Sequence, residues 1–181
     1  MILSDSTIKK YIALGKIVVF HQINPLNMRP AGIRLHLGNE ILIPIEGQTI
    51  DLDNPIEVGF EKVSLKESFL LKPGMFILGT TLEKIRVDRD LLCHVDGRST
   101  LARLGLSVHC ESQTVDGNYE EPRSVVLEIK NHGNFNIILK SNMPVAMLLF
   151  SELTEPISQN LQSQYKDQVS VVGPNLKFKR N

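Results

Sequence analysis

Residues 71–97, LKPGMFILGTTLEKIRVDRDLLCHVDG, decide the fold class. Two apolar and β-branched runs, MFILGTT (75–81) and LLCHV (91–95), stand among turn signals at Pro73-Gly74 and Asp96-Gly97, the punctuation of strands. Outward from this stretch the pattern repeats: IVVF (17–20), IRLHL (33–37), EILIP (40–44) and SFLL (68–71) precede it, and VVLEI (125–129), FNIIL (135–139) and PVAMLLF (144–150) follow. Many short strands with almost no helical periodicity between them predict an all-β sandwich, jelly roll or distorted barrel. Ser4 and Asp5 as cap candidates, Ile8, Tyr11 and Ile12 at helical spacing, and Gly15 as a stop predict one short N-terminal helix.

The 181 residues fit one domain, 1–181, and 42% hydrophobic residues suffice for a sizeable core. Residues 154–181 read as a polar tail with no obvious core of its own chain to join, either frayed or ordered only against a ligand or a neighbouring subunit. Twenty basic and twenty acidic residues cancel, so no overall field draws the chain onto nucleic acid or an anionic membrane. Any phosphate binding has to be local. Two cysteines, Cys93 and Cys110, without CxxC spacing suit a reducing compartment, and the start MILSDSTIKK lacks a signal-peptide core. A cytoplasmic protein is expected.

The sharpest chemical feature is GRSTLARLG (97–105), a tight turn, a short helix and a glycine stop. Ser99 is a cap candidate, and two arginines and two hydroxyls gather where free backbone N–H groups favour an anion. Ser99 and Arg103, four residues apart, share a face. On spacing alone the segment also fits a capped surface helix with solvated arginines. In SVVLEIKN, alternation sends Val125, Leu127 and Ile129 to one face and Val126, Glu128 and Lys130 to the other. Alone, Glu128 reads as a surface glutamate. His109-Cys110-Glu111 suggests a zinc deaminase only superficially: the downstream Pro-Cys-x-x-Cys pair is missing, and neighbours on a strand point to opposite faces.

GRSTLARLGLSVH with VVLEIKN resembles the central motifs of the dCTP deaminase branch of the dUTPase superfamily. MILSDSTI, IRLHLGNE, LKPGMFILGTTLE and QYKDQ resemble the branch's start, first strand motif, Pro-Gly hairpin and tail. The resemblance implies a dUTPase-like distorted barrel forming a homotrimer, or a dimer of trimers, with sites between subunits. It further implies a hydrolase that converts dCTP to dUTP and ammonia. Arg98, Ser99 and Thr100 would hold the triphosphate, Ser99 and Arg103 would also border the reacting base as catalytic residues, and Ser112 would contact the substrate. Asp116 would meet the deoxyribose, and Tyr165 and Gln168 would close the tail over the phosphates. Glu128 would be the catalytic glutamate that activates water. Mg²⁺ would arrive on the triphosphate with no protein side chain as ligand, and no zinc is called for.

Several positions depart from that pattern. Arg34 stands where the superfamily usually has Asp, which reverses a charge and disfavours metal-dependent dUTP hydrolysis. Glu111-Ser112-Gln113, Gly117-Asn118, a longer hairpin through Glu120–Arg123, and Gln164 alter the base pocket and the tail. They leave base preference and inhibition by dTTP open. Two further readings stand beside the deaminase: a dUTP pyrophosphatase or bifunctional enzyme, and a catalytically silent nucleotide-binding regulator.

Overall fold

The computed structural model describes residues 1–20, 25–54, 56–117, 120–159, 165, 168 and 170–176. Helix α1 (Asp5–Ala13) buries Ile8 and ends as expected at Gly15, whose φ is +72°. Ser4 holds the N-cap position without capping through its side chain. Strands β1 (Ile17–Phe20), β2 (Met28–Arg29), β3 (Gly32–Pro44), β4 (Phe60–Ser64), β5 (Phe69–Leu71), β6 (Phe76–Val87) and β7 (Leu91–Gly97) lead to the single-turn helix α2 (Ser99–Ala102). Strands β8 (Leu106–Ser107), β9 (Thr114–Asp116), β10 (Arg123–Asn131), β11 (Ile137–Leu139) and β12 (Pro144–Glu152) follow. The all-β expectation holds.

Ten of these strands form one antiparallel sheet in the order β8-β10-β6-β3-β12-β7-β9, with β1 also on β6 and with β2 and β4 on β3. β5 and β11 pair separately. IRLHL and EILIP, two runs in the sequence, are one 13-residue strand. Its first half pairs with β12 and its second half with β4 and β6, so β3 carries the sheet around a corner where the register shifts between Leu37 and Ile41. Curling of this kind encloses one apolar interior. Leu35, Leu37, Ile41, Ile77, Leu127, Ile129, Leu148 and Phe150 fill it, all fully buried.

A second, smaller apolar layer covers the outside of β3, β6 and β10. Val171 of the tail sits 5% exposed against Leu42 and Leu78, flanked by Phe60, Phe76 and Val126. The Ser170 hydroxyl donates to the Glu40 carboxylate beside it. The tail therefore does have a core on its own chain to join, contrary to the sequence expectation. One buried valine anchors it because the outer faces of β3, β6 and β10 also carry apolar side chains. Among the described residues no helix is long and apolar enough to cross a membrane.

Candidate active site

Glu128 lies midway along β10, whose alternation holds as expected. Leu127 and Ile129 are buried in the interior, and Val126 and Glu128 face outward. A register shift between Ser124 and Val126 bends the strand just before it. That irregularity is pinned by Thr81, whose hydroxyl accepts from the Val125 N–H at 2.9 Å and donates to the Glu83 carbonyl at 2.7 Å. Bulges commonly re-aim side chains in this way. The Glu128 carboxylate, half-buried, accepts the Cys110 backbone N–H at 3.1 Å and lies 3.5 Å from that of Glu111. It opens into a cavity of about 410 Å³ walled by Phe60, Phe76, Leu78 and Val126, with Ser112, Tyr165 and Gln168 at its polar positions.

Burial pushes the Cys93 thiol up to about 12, and burial together with the Glu128 carboxylate raises that of Cys110. Neither is a ready thiolate nucleophile. Glu128 is thus the chemically apt group among the apolar walls.

The second half of the expected machinery surrounds α2. Arg98 is extended at the N-cap position and Ser99 is the first helical residue, so Ser99 does not cap the helix as its sequence position suggested. The helix is also shorter than GRSTLARLG implied, spanning four residues before Arg103 and the turn at Gly105. Arg98 and Ser99 line an open cavity of about 570 Å³ together with Ser107, His109 and His132. Arg98 donates through Nη1 to the Pro144 carbonyl at 2.6 Å. Burial first, then the nearby guanidiniums of Arg34 and Arg29, push the pKa of Arg98 below its ordinary value.

A close backbone approach ties the two halves together. Gly105, at φ +81°, lies against Gly133, so that a Cβ on Gly105 would stand 2.5 Å from the Gly133 nitrogen. The His132 N–H donates to the Gly105 carbonyl at 2.8 Å. Fully buried Asn131 holds the same turn, accepting the Gly133 N–H at 3.0 Å and donating to the carbonyls of Leu71 and Phe135. The end of β10 and the exit of α2 are therefore one rigid unit, because only glycine tolerates both the positive φ and the contact.

The fold does not bring every expected residue into one place. Ser112, Glu128, Tyr165 and Gln168 share a cavity, whereas Arg98 and Ser99 line the other. The stretch from Ser107 to Ser112 runs between them, since Ser107, Val108 and His109 wall one and Ser112 the other. Thr100 and Arg103 are exposed on α2 and its exit, and Asp116, opposite Leu92 on β9, is also exposed and lines neither cavity. Tyr165 and Gln168 lie beside Glu128 and not beside Arg98, a different placement from a tail closing over the phosphates within one chain. The Tyr165 hydroxyl accepts the Asn175 N–H at 3.1 Å and its carbonyl accepts from Arg123 at 3.2 Å.

His109 and Cys110 stand in an irregular bend, not on a strand as the sequence suggested. Among the described residues no three His, Cys, Asp or Glu side chains converge as a metal site. The sequence reading missed Phe60 and Phe76 as walls, and it missed Arg29 as a neighbour of Arg98. Gln164 and Asn118 lie outside the described residues.

The pattern of the dCTP deaminase-like family matches residues 2–153. A protein of Dictyoglomus thermophilum named "dCTP deaminase, dUMP-forming" is 37% identical over 163 residues, covering 86% of this chain and 82% of its own. A "dCTP deaminase" of Actinobacillus succinogenes is 33% identical over 192 residues, covering 97% and 98%. Among solved structures, the 2'-deoxycytidine 5'-triphosphate deaminase of Agrobacterium tumefaciens superposes with a TM-score of 0.63 at 18% identity, over 82% of this chain and 48% of that one. That likeness concerns the fold.

Proposed function

Because this chain belongs to the dCTP deaminase-like family, we propose that it hydrolyses dCTP at C4 of the base, taking up one water and releasing ammonia and dUTP. The observation that carries the reading is Glu128, a half-buried carboxylate held by backbone N–H at the rim of an apolar cavity. A group in that setting can accept the proton of the attacking water as the new C4–O bond forms. It can pass that proton to the ring nitrogen, take a second from the new C4 hydroxyl, and deliver it to the amine as the C4–N bond breaks and the C4 carbonyl forms, so one carboxylate serves twice as base and then acid. Phe60, Phe76 and Leu78 supply a surface for a planar base and exclude competing water.

Arg98, Ser99 and Thr100 hold the triphosphate in this reading, Ser99 and Arg103 border the base, and Asp116 meets the 3′-hydroxyl and disfavours a ribose. Those residues lie across the Ser107–Ser112 stretch from Glu128, which supports a homotrimer whose sites are completed by α2 of a neighbouring subunit. Tyr165 and Gln168 close the base cavity. The residues around Arg98 do not suit a protein-held divalent ion, since Asp96 is the one carboxylate among the described residues that line its cavity and no three potential ligands converge there. Mg²⁺ would be carried in on the oxygens of the triphosphate, with no protein side chain as its ligand.

A second reading is favoured by the names of relatives such as the Dictyoglomus thermophilum protein, which are dUMP-forming. In that case a second water also attacks the polyphosphate and pyrophosphate leaves. Incubating the purified protein with dCTP, and separately with dUTP, separates these readings. Ammonia with dUTP supports simple deamination, and ammonia with dUMP and pyrophosphate supports the bifunctional enzyme. Pyrophosphate from dUTP without ammonia from dCTP, or no product from either, overturns the proposal.

A further inference from the structure

We propose that Arg34, together with Arg29 and Arg98, forms a preassembled seat that binds a polyphosphate directly through guanidinium nitrogens, with no divalent ion bridging the ligand to the chain. The identity of the natural ligand, a nucleoside triphosphate, rests on the function proposed above. The seat itself rests on side chains that converge from three parts of the chain.

On β3, Ile33 and Leu35 are buried in the interior, which turns Arg34 and His36 to the other face. Across the sheet Arg34 stands opposite Met147, and Met147 opposite Asp96. Arg98 comes two residues after Asp96 with its backbone still extended, so it returns to the face that carries Arg34. Its Nη1 is bonded to the carbonyl of Pro144, the residue paired with His36. Arg29 enters from β2, one residue along from the position opposite Ile33.

The charges of this face do not cancel. Among the described residues none of the three arginines makes an ion pair. Of the neighbouring carboxylates, Glu83 takes the His36 ring at 2.6 Å and its backbone N–H at 2.9 Å, while exposed Asp96 takes the adjacent Gly97 N–H at 2.8 Å and forms no ion pair with any of the three guanidiniums. Among the described residues the buried Nε of Arg34 meets no acceptor. A buried donor without a partner and like charges held together both destabilise the chain by itself. Both costs disappear when an acceptor-only group of high negative charge arrives. Phosphate oxygens match that description, and guanidinium forks match phosphate geometry better than an ammonium does. A hydrated cation would be repelled.

Inorganic tripolyphosphate, which carries no base, is the direct probe. It is titrated calorimetrically into the full chain in EDTA, comparing wild type with Arg34→Met and Arg34→Lys, and each protein is also melted without ligand. Wild type should bind without Mg²⁺. Arg34→Met should weaken binding about 10- to 100-fold, the usual loss of a charge-assisted contact, while melting no lower than wild type because a repulsive charge is gone. Arg34→Lys should fall between. Binding by Arg34→Met within about threefold of wild type, or wild-type binding only with Mg²⁺, overturns the seat. So does a lower melting point with unchanged binding, which would mark Arg34 as a structural partner of a second copy. Should Arg34→Met fail to fold, Arg34→Lys decides by the same comparison. Arg34-dependent tripolyphosphate binding without ammonia release from dCTP would leave the seat and remove the proposed reaction.

Discussion

The cavity around Glu128 and the cavity around α2 belong to one chain but gather different side chains. The first has aromatic and aliphatic walls, one carboxylate, and a tail segment laid across it by Val171 of its own chain. The second is more open, lined by Arg98, Ser99, Ser107, His109 and His132 together with Asp96, and it has the guanidiniums of Arg34 and Arg29 near that of Arg98. A planar, uncharged base suits the first, and a polyphosphate suits the second. On the proposed function these are the two ends of a nucleotide site, kept apart within one chain, so each end can be perturbed separately.

The largest effect is expected from Glu128→Gln. The change preserves size and the fully buried Leu127 and Ile129 behind it, but it removes the proton acceptor. Ammonia release should fall by about 10²–10⁴, with dCTP binding by calorimetry retained. At the other end, Arg98→Ala should raise KM about 10- to 100-fold, for a charge-assisted contact worth roughly 1.5–3 kcal/mol, and change kcat less. Equal losses of kcat in both variants would erase the distinction between a chemical and a binding half.

Next in size is the rigid joint between the halves. Gly105→Ala forces a Cβ to 2.5 Å from the Gly133 nitrogen at a positive φ, and it should lower stability by roughly 1–3 kcal/mol in chemical denaturation. A silent Gly105→Ala would mean that the two halves are not rigidly joined. The smallest effect is expected from Val171→Ala, about 1 kcal/mol. It should make the tail more susceptible to limited proteolysis while the interior of the barrel melts as before.

The sequence made some of this legible and hid the rest for identifiable reasons. Strand alternation placed Glu128 opposite Leu127 and Ile129, and the glycine after α1 ended the helix where the pattern said. β4 went unread because Glu61 and Lys62 break its alternation, although it pairs with β3 throughout. Two runs of β3 read as two strands because Gly38-Asn39 looks like a turn, while its pairing with β12 and then with β4 and β6 carries the chain straight through. Val171 looked like part of a polar tail because its partners, Leu42 and Leu78, are far away in sequence. The grouping of Arg29, Arg34 and Arg98 is likewise a product of pairing across β2, β3, β12 and β7, which no local window contains.

The proposed function requires that a working site combine the Glu128 cavity of one subunit with the α2 region of another. It is tested most directly by mixing two inactive variants, Glu128→Gln and Arg103→Ala, after verifying that each is oligomeric and folded. Random reassembly of co-expressed subunits should restore about one quarter of the wild-type sites, since a quarter of neighbouring pairs then combine an intact glutamate with an intact arginine. Ammonia release from dCTP should recover accordingly. Hybrid oligomers that remain as inactive as their parents, or a fully active monomer, would contradict the account.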